Sequence, residues 1–116
     1  MDITIKTRRI EDVVVLDFAG RLTIGESTFL LRGLVREFLE SGHRKFIFNL
    51  GGLSYLDSAG LGELISSYTS ARNRQGDVKL MNLTSRARDL LQMTKLLTVF
   101  DTYTDEATAL QELRSL

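Results

Sequence analysis

No cysteine, proline or tryptophan occurs among the 116 residues, and histidine occurs once. The missing cysteines exclude a disulfide framework, a thiolate metal site and a cysteine nucleophile together. Only carboxylates then remain as plentiful metal ligands, and Asp101, Asp105 and Glu106 lack the spacing of a calcium loop. No metal and no cofactor is expected. Charge of one sign is missing too: fifteen Lys plus Arg, interspersed along the chain, stand against fifteen Asp plus Glu. Nucleic-acid binding, which needs a basic face to displace phosphate counterions, is therefore not expected. The longest apolar runs, such as Val13 to Leu16, fall far short of the roughly 20 residues that span a bilayer. Met1-Asp2-Ile3-Thr4 has neither the basic nor the apolar region of a secretory signal. The expected location is the cytoplasm, without membrane attachment.

What is present is a changing hydrophobic period. A chain of this length is expected to form one domain over residues 1–116, with enough buried surface for a core without staples. Ile3 to Lys6 alternates with period two, and Val13 to Phe18 follows a charged turn at Arg9 to Asp12, which predicts a strand hairpin. Thr23 followed by Glu26 has capping-box spacing, so a helix is expected to start there. Its apolar positions Leu31, Leu34, Val35, Phe38 and Leu39 recur as one helical face, ending at Ser41-Gly42. Gly33 lies inside it, explained only by close packing on the sheet. Strand and helix then alternate, as parallel strands with covered crossovers require. Phe46 to Leu50 is nearly continuous apolar sequence, the pattern of a central strand buried on both faces. Leu61, Leu64, Ile65 and Tyr68 mark a second helix ending near Gly76, and Val78 to Leu83 a further strand. Thr84 or Ser85 is expected to cap a third helix carrying Ala87, Leu90 and Leu91. Thr98-Val99-Phe100 is expected as an edge strand, with a last helix from Thr104. The predicted fold class is α/β, a mixed and mostly parallel sheet with helices in the order ββαβαβαβα.

The segment Leu53-Ser54-Tyr55-Leu56-Asp57-Ser58-Ala59-Gly60-Leu61-Gly62-Glu63 follows the central strand, where an open parallel sheet usually places its ligand crevice. Three readings of Ser58 compete. It is suited to cap the second helix. As a nucleophile it lacks the G-x-S-x-G elbow, and His43, the sole histidine, reads as an exposed turn residue after Gly42. As a phosphoacceptor it stands beside Asp57 and Glu63, which add local negative potential. Gly60 and Gly62 match no phosphate-cradling pattern. They suit either close approach of another protein to the helix start or tight helix packing on the sheet. Arg86, Arg88 and Lys95, without interleaved aromatics, read as a solvated face.

Asp57-Ser58-Ala59-Gly60-Leu61-Gly62, after an apolar strand and together with the opening strand pair, Gly20-Arg21-Leu22, Val78 to Leu83 and Lys95 to Phe100, resembles the STAS domain, specifically the stand-alone bacterial anti-sigma-factor antagonists. The resemblance implies that Ser58 is phosphorylated by a partner anti-sigma factor that is also an ATP-dependent serine kinase. It implies a metal-dependent serine phosphatase that removes the phosphate. It further implies that the unphosphorylated domain binds the anti-sigma factor and frees a sigma factor, and that the phosphorylated domain releases its partner. Ser58 would then be a substrate residue and the chain not an enzyme. Ala59 stands where many relatives carry a second serine, and Thr23 where many carry Asp.

Phosphoserine adds about −1.5 to −2 charge and three acceptor oxygens, which a helix N-terminus tolerates. The expected effect is at the surface: a hundredfold loss of affinity needs about 2.7 kcal/mol, within reach of steric overlap and desolvation of a dianion. The expected contact surface comprises Thr23, Ile24 and Gly25, the helix start Asp57, Ser58, Ala59, Gly60, Leu61 and Gly62, and an exposed helix face with Glu63, Ser66, Ser67 and Ser70. A monomer or weak homodimer is expected. The alternatives are a scaffold subunit of a signalling assembly, a cytoplasmic partner of a transporter complex, or a small nucleotide- or ligand-binding module.

Overall fold

The computed structural model describes residues 2–116. Its elements run β1 (Ile3–Ile10), β2 (Val13–Leu22), α1 (Glu26–Glu40), β3 (Lys45–Leu56), α2 (Ser58–Arg72), β4 (Asp77–Met81), α3 (Ser85–Met93), β5 (Thr102–Tyr103) and α4 (Glu106–Arg114). The order is the ββαβαβαβα read from the sequence. The strands lie side by side in chain order, with β1 antiparallel to β2 and the remaining pairs parallel. The hairpin closes through Glu11 and Asp12, with Glu11 in the left-handed region (φ 57°) and Ile10 paired with Val13. Tertiary packing is asymmetric about this sheet. Val14, Leu16 and Phe18 of β2 and Phe46, Phe48 and Leu50 of β3 point to one side, where Leu31, Val35 and Leu39 of α1 and Leu61 and Leu64 of α2 close the main core. The intervening Val13, Val15 and Ile47 point to the other side and meet Ala109, Leu110 and Leu113 of α4. Burial on both faces explains why these strands read as continuous apolar runs.

The second face is closed only in part by α4, and polar ties complete the join. Arg8 donates to Asp17 (2.6 and 3.0 Å) and to Glu106 of α4 (2.7 Å). The Arg8 hydrogen bond holds the Asp17 carboxyl below its usual range, against the opposing effect of burial. The stability this pair contributes is therefore present at neutral pH and is lost as the pH falls below the ordinary Asp value of 3.8.

Several expectations need correction. Thr98-Val99-Phe100 is not a strand: Val99 N–H closes a turn onto the Leu96 carbonyl (3.0 Å), and Phe100 is an anchor buried edge-on against Tyr68, with centroids 5.1 Å apart. Strand pairing begins later, with Thr102 beside Leu80 and Tyr103 beside Met81. The last helix is capped by Asp105, which accepts from Ala107 N–H (3.3 Å), so Thr104 lies outside it. At the third helix the cap is Thr84, accepting from Ala87 N–H (3.1 Å). β3 runs six residues past Leu50, because Gly51 and Gly52 continue the strand through a register shift against β2. A Cβ at Gly52 would lie 2.3 Å from the Phe18 carbonyl oxygen, so this bulge requires glycine.

Gly33 is also not a packing glycine: it is exposed, and a Cβ built there meets nothing within 4 Å. Gly33→Ala is therefore expected to raise stability by about 1 kcal/mol through helix propensity alone. A higher denaturation midpoint with unchanged slope would be the signature.

Candidate functional site

The extension of β3 to Leu56, beside Leu22 at the end of β2, brings the start of α2 against the loop that leads into α1. The cap of α2 is Asp57, not Ser58. One Asp57 carboxylate oxygen accepts from Gly60 N–H (2.7 Å), and the other accepts from Ile24 N–H in the neighbouring loop (3.0 Å). Ser and Asp both suit an N-cap, and the second bond to Ile24 is available only from position 57. Ser58 thereby becomes the first helical residue, with its side chain exposed. Among the described residues no protein group hydrogen-bonds its hydroxyl. Leu61 N–H returns to the Asp57 carbonyl (2.9 Å), leaving the N–H groups of Ser58 and Ala59 as the unpartnered donors of this helix start.

The loop is ordered by a residue that sequence reading passed over. Ser27, buried, accepts from Thr23 N–H (2.8 Å) and donates back to the Thr23 carbonyl (2.7 Å). The expected Thr23 capping box does not form, because the cap position falls at Gly25 (φ 114°) and Glu26 is already helical. Ile24 and Phe29 are left standing out, 79% and 66% exposed. Between them and the start of α2 lies an open groove of about 570 Å³ whose floor includes Gly25, Ala59 and Gly62.

The two glycines of the motif have different roles. A Cβ at Gly60 would fall 2.2 Å from the Leu22 carbonyl oxygen, so this glycine allows α2 to rest on the end of β2. A Cβ at Gly62 meets nothing within 4 Å and would project into the open groove.

The expected exposed face of α2 is only partly exposed. Ser66 is exposed and Ser70 half-buried, and both line a second depression between α1 and α2. Glu63 and Ser67 are 5% and 3% exposed, and Leu61 faces the core. Glu63 is turned toward α1, where Arg32 donates to it (2.8 Å), and the Ser67 hydroxyl bonds the Glu63 carbonyl (2.9 Å). The physical reason is that α2 is flanked by the sheet and by α1 at once, so polar residues on its α1 side become covered. Phe29 and Arg32, whose guanidinium stacks 5.3 Å from the Phe29 ring centroid, were missed in the sequence. The available signal was an aromatic off the apolar stripe of α1.

His43 offers no triad. It precedes β3 at the end opposite Ser58 and packs edge-on against Phe38, with centroids 5.6 Å apart. Arg86 is not a free member of a solvated face: its Nε donates to the Leu56 carbonyl (3.3 Å), and its guanidinium lies 4.8 Å from the Tyr55 ring centroid. Arg21 lies 5.0 Å from the same centroid.

A free serine at the first turn of a helix, in D-S-A-G-L-G after the central strand of a β1-β2-β3-β4-β5 sheet, agrees with the match of the STAS domain family to residues 4–109. The chain belongs to the STAS domain family. This STAS domain is 29% identical over 101 residues to the anti-sigma-B factor antagonist of Bacillus subtilis, covering 87% of this chain and 91% of that protein. Its fold is also that of an anti-sigma factor antagonist from Mycobacterium paratuberculosis (TM-score 0.82, 20% identity, 97% of this chain and 94% of that one). The Bacillus cell fate determinant SpoIIAA in the phosphorylated form has the same fold (TM-score 0.77, 20% identity, 96% of this chain and 100% of that one). Among the described residues no helix of this STAS domain is long and apolar enough to cross a membrane.

Proposed function

We propose that this STAS domain is an anti-sigma-factor antagonist, a binding protein whose docking surface is switched by phosphate on Ser58. The observation that carries the reading is the exposed, unengaged Ser58 hydroxyl beside a groove rimmed by the exposed apolar side chains of Ile24 and Phe29. An exposed aromatic and an exposed aliphatic flanking a glycine-floored groove suit a protein partner more than a small ligand, because the groove is shallow and open. The partner is an anti-sigma factor with ATP-dependent serine kinase activity, and the phosphate is removed by a metal-dependent serine phosphatase. Both meet the domain in the cytoplasm. The relatives named as anti-sigma-factor antagonists support the partner class, and the relative solved in a phosphorylated form supports the control.

Within this reading the contact surface is Thr23, Ile24, Gly25, Phe29, Ala59, Gly62 and Ser66, with Ser58 at its edge. Asp57 and Gly60 shape the surface without being presented to the partner. Unphosphorylated, the domain occupies the anti-sigma factor. A dianion beside the groove imposes a desolvation cost on docking while the fold persists, since Ser58 makes no bond that the fold needs.

The test pairs two variants. Ser58→Ala is expected to keep the denaturation midpoint and the partner while incorporating no phosphate from the cognate kinase. Ser58→Asp is expected to weaken the complex at least tenfold, about 1.4 kcal/mol. Phosphate incorporation into Ser58→Ala at wild-type stoichiometry, or equal affinities of the two variants, would overturn the reading.

A further inference from the structure

Of the eleven arginines, Arg21 and Arg86 are the two that share one aromatic ring among the described residues. Arg8, Arg32, Arg72 and Arg114 each lie within 4.0 Å of a carboxylate, whereas Arg21 and Arg86 have no such partner among the described residues. Both are exposed, and both are held within about 5 Å of one aromatic ring, Tyr55. They reach it from different elements, Arg21 from the end of β2 and Arg86 from the first turn of α3. Two cations gathered at one ring repel each other, and each guanidinium retains donors that the ring does not use. The one further bond of Arg86 is a long one, 3.3 Å, to the neutral carbonyl of Leu56.

That carbonyl lies two residues before Ser58. Two residues of chain span no more than about 7 Å, less than the combined reach of an arginine side chain and a phosphoserine. We propose that Arg86, supported by Arg21, is the intramolecular receptor for the Ser58 phosphate: on phosphorylation its guanidinium exchanges the Leu56 carbonyl for the phosphate oxygens. The inference rests on the reading of Ser58 as the phosphoacceptor and names what that phosphate meets. A charge-assisted, bidentate pair is stronger than the neutral bond it replaces, and the ring has already ordered the guanidinium, so little side-chain entropy is lost. The phosphate is thereby held on the α3 side of the first turn of α2, as one fixed feature at the edge of the docking surface.

The test uses protein with phosphoserine incorporated genetically at position 58, so it does not depend on any cellular kinase or partner. The readout is the second ionisation of the phosphate followed by phosphorus NMR across pH. A phosphoserine ordinarily loses its second proton near pH 6. A guanidinium at contact distance in a solvent-exposed setting lowers that midpoint by about half a pH unit. Arg86→Gln is accordingly expected to raise the midpoint by about half a pH unit relative to the parent protein. Arg21→Gln raises it less. Arg88→Gln, which removes the same charge from the same helix without touching Leu56 or Tyr55, leaves it nearly unchanged. In the parent protein the Arg86 Nε–H resonance also moves and gains exchange protection on phosphorylation. An equal shift for Arg86→Gln and Arg88→Gln, or no shift for either, would overturn the proposal. Failure of the functional reading would look different, as a captured phosphate that leaves partner affinity unaltered.

Discussion

Gly60→Ala is expected to destabilise the domain by about 2 kcal/mol, whereas Gly62→Ala, two positions along the same helix, is expected to stabilise it by about 1 kcal/mol. Both substitutions gain the same helix propensity, so the difference isolates what the new methyl group meets. At Gly60 it falls 2.2 Å from the Leu22 carbonyl oxygen, 3.0 Å from the Leu22 carbonyl carbon and 2.8 Å from Leu56 Cδ1. Leu56 has a flexible side-chain end, but Leu22 presents backbone, paired with Leu56 in the sheet and accepting from Asp57 N–H (3.4 Å). Relief therefore requires lifting α2 off the end of β2, at an overpacking cost of about 3 kcal/mol that outweighs the propensity gain. At Gly62 the methyl group enters open groove. Urea denaturation of the two variants measures the stability difference. Partner affinity measures something else: Gly62→Ala should bind the proposed anti-sigma-factor partner more weakly although its fold is more stable. Undiminished binding by Gly62→Ala would show that the partner does not approach the backbone there.

The contrast between these glycines marks where sequence ceases to determine structure. The motif D-S-A-G-L-G was legible as a helix start after a buried strand, because Phe46 to Leu50 and the repeat of Leu61, Leu64, Ile65 and Tyr68 carry different periods. Which glycine packs and which faces solvent depends on where β2 ends relative to α2, and that position follows from the bulge at Gly51-Gly52, which reads in sequence as a strand terminus. The same holds for the cap. Asp57 and Ser58 are equivalent by local propensity, and a bond to Ile24, 33 residues earlier, separates them. Glu63 and Ser67 looked like a solvated face because their burial comes from α1, through Arg32, and not from any pattern within α2. Thr98-Val99-Phe100 had strand composition, but Phe100 is fixed by Tyr68 and not by a ladder. Phe29 was legible in principle: among Leu31, Leu34, Val35, Phe38 and Leu39 it is the large apolar residue of α1 placed away from their shared face, and it stands 66% exposed.

Asp57→Ala is expected to lower stability by about 2 kcal/mol, as the sum of about 1 kcal/mol for the lost helix cap and about 1 kcal/mol for the lost bond to the loop, the latter taken below the usual charge-assisted range because that site is partly solvated. Asp57→Asn separates these contributions. Its amide oxygen can still accept from Gly60 N–H, as asparagine does at many caps, but the amide nitrogen then faces the Ile24 N–H, donor against donor. Native-state hydrogen exchange distinguishes the two losses. The Ile24 amide should lose protection in both variants, and the Gly60 amide only in Asp57→Ala. The consequence for binding follows from Ile24 itself, 79% exposed at the apex of the loop that Asp57 holds. If the carboxylate serves docking by fixing this loop, Asp57→Asn weakens the partner complex severalfold in step with the Ile24 exchange rate, although Ser58, the helix and the groove floor are unchanged. A direct contact between Asp57 and a cation of the partner predicts the reverse pairing, with affinity lost and Ile24 still protected. Each Asp57 oxygen already accepts from a backbone donor, one in α2 and one in the loop, and this double engagement favours the carboxylate as a strut that shapes the surface.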